Sequence, residues 1–217
     1  KSTFGKIGIL AGSEEIAGAA ILNVTAAFRS GGGSVRLCTH EKNKEAVLST
    51  APETVLDLYG EFHETADGKS ASEMIGRLIS FADVICAGSG LGTSDQAGEL
   101  LGILLSRLAS EKNKTLILDA DALNLIAKHE EIRALLCKVC ARVIMTPHVV
   151  EFSRLCNKTP EEIKQNRVAV AREYAGEHHC ILVLKDAQTV IADESGNVCI
   201  SSSGNDGMAV AGSGDVL

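Results

Sequence analysis

Six short aliphatic runs recur along the chain, at residues 5–10, 34–38, 83–87, 114–118, 141–145 and 180–184, several of them opening into Gly, Asp or Pro. Amphipathic stretches at 18–29, 71–81, 94–110, 121–127 and 161–178 separate them and read as helices. Continuous apolar strands alternating with helices require a mostly parallel sheet covered on both faces. Ser94-Asp95 and Thr159-Pro160-Glu161-Glu162 are helix starts, with a polar cap and first-turn carboxylates. The rhythm changes late. Residues 189–192 and 198–200 flank a Glu194-Ser195-Gly196 turn and predict an antiparallel hairpin. The fold class expected is therefore three-layer α/β. The polar stretch 61–70 is expected to be an exposed loop, and no repeat or second domain is visible.

Composition removes several function classes. The 217 residues suit one sizeable core, and a net charge of -7 provides no field to condense on nucleic acid or an anionic membrane. Five Phe, two Tyr and no Trp are too few for base-stacking platforms. No apolar stretch reaches the 18 or so residues of a spanning helix. Seven cysteines without a signal peptide suit a reducing cytoplasm. Cys137-Lys138-Val139-Cys140 has redox or zinc-knuckle spacing, but its apolar surroundings favour buried structural thiols. His178-His179-Cys180 reads as a helix end entering a strand.

In open parallel sheets ligands bind beyond the carboxyl ends of the strands. Nearly every polar or glycine-rich motif falls there. Gly88-Ser89-Gly90-Leu91-Gly92 sits between a strand and a helix start, where bare backbone approaches an anion, although Thr93 replaces the third glycine of a dinucleotide fingerprint. Ala211-Gly212-Ser213-Gly214-Asp215 combines the same backbone with a carboxylate placed to act as a base beside an anion hole, provided a helix follows. Asp119-Ala120-Asp121 pairs carboxylates at a strand end, which need a metal or donors. His148 and Glu151 lie three apart at a helix start, the His facing a ligand and the Glu a hydrated metal. Lys185-Asp186-Ala187-Gln188-Thr189 leaves a strand with a cation and a hydroxyl that suit nucleotide phosphate or ribose. Each motif alone also reads as a capped, tight or solvated turn; their convergence on one sheet edge carries the argument. No Ser/His/Asp order, Walker A loop or H-E-x-x-H supports acyl transfer or zinc hydrolysis.

Leu118-Asp119-Ala120-Asp121-Ala122-Leu123-Asn124, Thr146-Pro147-His148-x-x-Glu151, Leu184-Lys185-x-x-x-Thr189 and Asn205-x-Gly207-Met208-Ala209-x-x-Gly212-Ser213-Gly214-Asp215, in that order, resemble the ADP- or ATP-dependent NAD(P)H-hydrate dehydratases. Gly12-Ser13, Gly18-Ala19-Ala20 and Gly88-x-Gly90-Leu91-Gly92 match the family's earlier motifs. The resemblance implies a ribokinase-like fold and a carbon-oxygen lyase that repairs hydrated NADH or NADPH by phosphorylating its hydroxyl and eliminating phosphate. It implies Asp215 as catalytic base, with Ala19, Gly90, His148 and Asp215 lining the hydrated dinucleotide. Lys185, Asp186, Ala187, Gln188 and Thr189, with Gly212, Ser213 and Gly214, would hold the adenine nucleotide. Glu151 and Asp119 would assist Mg2+, directly or through water. The family further implies a cytoplasmic homo-oligomer, with tetramers a family habit, and no nucleic-acid or membrane partner. Further C-terminal helices are expected beyond Leu217, making residues 1–217 most of one domain. Departures occur at Glu14 and Glu15 in the first turn, at Ser89 where Pro is usual, and at Asp186 where Gly is usual; the acidic ones add negative charge where polyanions are expected. The alternatives are a kinase of a small vitamin-precursor alcohol and a catalytically weak nucleotide-binding protein.

Overall fold

The computed structural model describes residues 2–60, 70–204, 207 and 210–216. Its strands are β1 (Lys6–Leu10), β2 (Ser34–His40), β3 (Val55–Tyr59), β4 (Val84–Ala87), β5 (Thr115–Leu118), β6 (Arg142–Met145), β7 (Cys180–Leu184), β8 (Val190–Ala192) and β9 (Val198–Ile200). They form one sheet in the order β3-β2-β1-β4-β5-β6-β7-β8-β9. Pairing is parallel from β3 through β7, and antiparallel from β7 to β8 and from β8 to β9. The helices are α1 (Ala17–Arg29), α2 (Lys44–Thr50), α3 (Ala71–Phe81), α4 (Asp95–Leu108), α5 (Asp121–Lys128), α6 (Glu130–Leu136), α7 (Val149–Cys156), α8 (Pro160–Gln165) and α9 (Arg167–Glu177). This is the three-layer, mostly parallel sheet with a late hairpin expected of a ribokinase-like fold.

Alternation along the strands divides the core. Ile9 and Leu37 pack into one cluster with Ala20 and Val24 of α1 and Val47 of α2, while Leu10 and Cys38, one residue on, face the other cluster with Met74, Leu78, Leu101 and Leu104. The sheet thus buries both faces, as its continuous apolar strands require.

Three elements were not legible as apolar runs: β3, α2 and α6. β3 carries Asp57 at its centre, which breaks the run but is buried because Arg36 Nη1 reaches its Oδ2 at 2.6 Å and Arg77 Nη2 reaches its Oδ1 at 2.8 Å. The stretch expected as one helix over 161–178 is two. Asn166, at φ −133° and ψ 34°, ends α8 and starts α9, and the Thr159–Glu162 capping box opens α8. Cys137 and Cys140 are exposed, not buried, because Cys137 caps the short α6 and Cys140 lies in the loop before β6. All seven cysteines are free thiols. Of the expected loop at 61–70, residues 61–69 lie outside the described residues, and Ser70 caps α3. Among those described, no helix is long and apolar enough to cross a membrane.

Removing the shared carboxylate would strand two partly buried guanidinium groups. Asp57→Ala is expected to cost about 3 kcal/mol of stability by urea unfolding.

Candidate active site

The parallel register brings the carboxyl ends of β1, β4, β5, β6 and β7 to one edge. Gly88, at φ 129°, follows β4 so closely against the turn after β5 that a Cβ there would stand 1.9 Å from the Asp119 carbonyl oxygen. Gly90, at φ 60°, presses on α1: its Cβ would stand 2.7 Å from the Ala19 Cβ. The glycines therefore bring the β4 turn down onto Asp119 and Ala19. The Gly12 amide donates to the Ser89 carbonyl at 2.9 Å, and the Tyr59 hydroxyl donates to the Gly12 carbonyl at 2.8 Å, locking the first two turns together.

Asp119 and Lys185 meet across this edge, Nζ to Oδ1 at 2.8 Å, with both side chains less than a quarter exposed. Asp121 serves a different purpose. Its Oδ2 accepts the Gly92 amide at 2.9 Å, and its Oδ1 faces the Asn124 amide at 3.4 Å, so it fixes the glycine turn. Asn124 is held in turn by Arg154 Nη1 at 2.7 Å.

Asp215 sits in a 3-10 turn, Gly214–Val216, packed on α1. Burial raises its carboxyl pKa, and the negative charges of Asp119 and Asp121 push the same way, while the Ser89 hydroxyl and Lys185 pull it down. The half-buried carboxyl thus lies among the ends of β4, β5 and β7. A Cβ on Gly214 would stand 3.9 Å from Lys185 Nζ, so bare backbone and cation adjoin. Within this turn the Ser213 amide donates to the Val210 carbonyl at 3.3 Å and the Asp215 amide to the Gly212 carbonyl at 3.1 Å. Two amides of the motif are therefore engaged in its own geometry. Asn205, Asp206, Met208 and Ala209, upstream in the same motif, lie outside the described residues.

His148 and Glu151 form a reciprocal cap on α7. The Val150 and Glu151 amides donate to His148 Nδ1 at 3.1 and 3.3 Å, and the His148 amide donates to Glu151 Oε2 at 2.8 Å. The imidazole is half exposed, with Nε2 3.3 Å from Glu151 Oε1. The Lys185 amide donates to the Pro147 carbonyl at 2.8 Å, which joins this cap to the start of the lysine loop.

The lysine loop is clamped by a residue that no motif marked. Arg167 Nη1 reaches Asp186 Oδ2 at 2.9 Å and the Gln188 carbonyl at 3.2 Å, while its Nη2 meets Gln188 Oε1 at 3.4 Å. Asp186, which differs from the family's usual glycine, is thereby paired. Glu14 is likewise paired, with Lys42. Both neutralising partners come from helical segments distant in sequence, so pattern reading had no signal for them.

Among the described residues, no group of three or more His, Cys, Asp or Glu side chains is arranged to hold a metal directly. Glu151 is committed to its cap, while Asp119 and Asp215 are oxygen donors at the edge. That chemistry fits Mg2+, which is commonly held by one or two carboxylates, water and substrate phosphates.

The NAD(P)H-hydrate dehydratase family profile matches residues 7–217. The chain belongs to that family. It is 37% identical over 220 residues to the bifunctional NAD(P)H-hydrate repair enzyme Nnr of Thermofilum pendens, covering all of this chain and 40% of that one. It is 34% identical over 218 residues to the ADP-dependent (S)-NAD(P)H-hydrate dehydratase of Neisseria meningitidis, covering all of this chain and 68% of that one. Among solved structures it superposes on the ADP/ATP-dependent NAD(P)H-hydrate dehydratase of Bacillus subtilis, co-crystallised with ATP/Mg2+ and soaked with CoA. There the TM-score is 0.79 at 29% identity, over 100% of this chain and 72% of that one. The chain thus spans about 40% of the length of the bifunctional relative.

Under the role of base expected for Asp215, the carboxylate must be ionised, and activity would fall as pH drops through its raised pKa. Ser89→Ala removes a group that lowers this pKa. The acidic limb of the kcat profile is expected to move to higher pH, which a pH series on both proteins measures.

Proposed function

We propose that this chain carries out the ADP- or ATP-dependent dehydration of hydrated NADH or NADPH. The observation that carries the reading is the convergence of Asp215, with its raised pKa, on the Lys185–Asp119 pair in a member of this family. Asp215 takes the proton of the substrate hydroxyl as its oxygen attacks the terminal phosphorus of the nucleotide. The bond from that phosphorus to the bridging oxygen breaks, releasing the shortened nucleotide. Phosphate, a far better leaving group than hydroxide, then departs with the C–O electron pair. The ring nitrogen supplies electrons, and loss of the neighbouring ring proton restores the dihydronicotinamide double bond.

Lys185 swings its Nζ from Asp119 toward the nucleotide phosphates, and Gly214 presents its backbone beside it. Asp186 through Thr189 hold the nucleotide in the shape that Arg167 fixes, and Gly212 and Ser213 set the turn that aims Asp215. Ala19, Gly90 and His148 line the dinucleotide. Asp119 would be the carboxylate to hold Mg2+, with Glu151 assisting through water, and the metal would supply screening of the phosphate charge. Seven free thiols suit a reducing, cytoplasmic setting. Assembly into homo-oligomers is part of the same reading.

Recovery of NADH absorbance from its hydrate, dependent on ADP or ATP, tests the reaction; no recovery with either nucleotide would sink it. A phosphorylated product that accumulates would instead favour the small-alcohol kinase, and nucleotide binding without turnover the binding module. Asp215→Asn is expected to lower kcat by about 10²–10⁴-fold with nucleotide affinity little changed. Arg167→Ala is expected to raise the nucleotide KM severalfold at nearly constant kcat, because it loosens the loop without touching the reacting atoms.

A further inference from the structure

A cavity of about 390 Å³ opens at the carboxyl ends of β2 and β3, and none of the residues given a catalytic, ligand-binding or metal role above lines it. Its walls include His40, Tyr59, Ser13, Gln96 and Leu91, with Glu14 and Glu15 alongside. His40 is only 3% exposed. Its Nδ1 accepts the Lys42 amide at 3.4 Å, which leaves the ring proton on Nε2. No described residue meets that Nε2. An N–H in a cavity wall that no described residue engages is available to donate to a ligand. Tyr59, 4% exposed and edge-on to His40 with ring centroids 5.6 Å apart, spends its hydroxyl proton on the Gly12 carbonyl and keeps oxygen lone pairs.

The position decides which ligand reaches this cavity. In the sheet order, Asp215 stands over β4 and β5, and the lysine loop leaves β7 on one side of it. The cavity lies on the other side, over β3, β2 and β1, and is bounded by Ser13 and Gly92, next to the Gly12 and Gly90 turns. A nucleotide anchored at the lysine loop hands its phosphoryl group toward Asp215, so the cavity belongs to the acceptor. The two glutamates, only one of them paired with Lys42, oppose a phosphate here and favour an uncharged polar group.

We propose that this cavity is a specificity subsite for an amide-type edge of the acceptor dinucleotide, with His40 Nε2–H donating and the Tyr59 hydroxyl oxygen accepting. Both the nicotinamide carboxamide and the adenine N1/N6 edge present an acceptor beside a donor. The inference rests on the dehydratase reading for the identity of the acceptor.

Calorimetric titration of the full chain with NADH, its thionicotinamide analogue and its hypoxanthine analogue tests it. Each analogue weakens or removes the acceptor atom at one end of the dinucleotide. The unaltered chain is expected to bind one analogue about tenfold more weakly than NADH, the loss of one buried hydrogen bond, and the analogue affected identifies the edge. In His40→Leu the gap should close, with ADP affinity unchanged, and His40→Gln, which keeps a donor, should retain much of it. Equal binding of all three ligands, no NADH binding at all, or a gap that persists in His40→Leu would overturn the subsite. The comparison on the unaltered chain requires no variant to fold. Turnover of hydrated NADH, followed separately, reports on the dehydratase reading: its loss with a His40-dependent gap intact would remove that reading and leave the subsite standing.

Discussion

The Lys185–Asp119 ion pair joins the ends of two strands that are not neighbours, β5 and β7, over the turn that leaves β6. It exists only because the parallel register ends these strands at one level. A one-residue slip in either strand would turn its side chains to the opposite face and dissolve the pair. The Pro147 carbonyl that receives the Lys185 amide, and the His148–Glu151 cap beginning one residue later, make the same register rigid on the β6 side. The close approach of Gly88 to the Asp119 carbonyl does so on the β4 side. Asp215 is therefore presented to an edge whose charges are already positioned, a requirement for electrostatic catalysis without reorganisation.

Charge is the second constraint. A chain of net charge -7 proposed to take polyanionic ligands cannot rely on its overall field, and the structure shows local pairing in its place. Asp186 is held by Arg167, Glu14 by Lys42, Asp57 by two arginines, and Asp121 by the Gly92 amide. The acidic departures from the family pattern at 14 and 186 are thus compensated by cations. Glu15 forms no ion pair with a described cation, and it lines the cavity proposed for an uncharged group.

The sheet was legible because its strands are apolar runs, and the site because the motifs follow those runs. The hairpin, the Ser94 and Thr159 caps and the His178-to-Cys180 junction followed from local chemistry alone. β3 was hidden by Asp57, whose partners lie about 20 positions away in sequence on either side. The exposure of Cys137 and Cys140 was hidden for a related reason: an apolar neighbourhood in sequence does not say which way a helix end turns. The parts played by Arg167, Ser89 and Tyr59 had no sequence signal, because each acts through a contact that only the folded register creates.

The same reasoning explains why two carboxylates separated by one residue take different parts. Asp119 points toward Lys185, and Asp121, at the first position of α5, toward the β4 turn. Between them Ala120 adopts φ 49° and ψ −118°, an unusual backbone for a residue with a Cβ. That reversal separates the two side chains, so one holds the lysine while the other holds the glycine turn. Burial first, and the charges of Asp119 and Asp121 second, raise the pKa of Asp215, kept in check by Ser89 and Lys185. In the proposed role of base, Asp215 keeps more proton affinity than an ordinary exposed aspartate, which the proposed first step would demand of it.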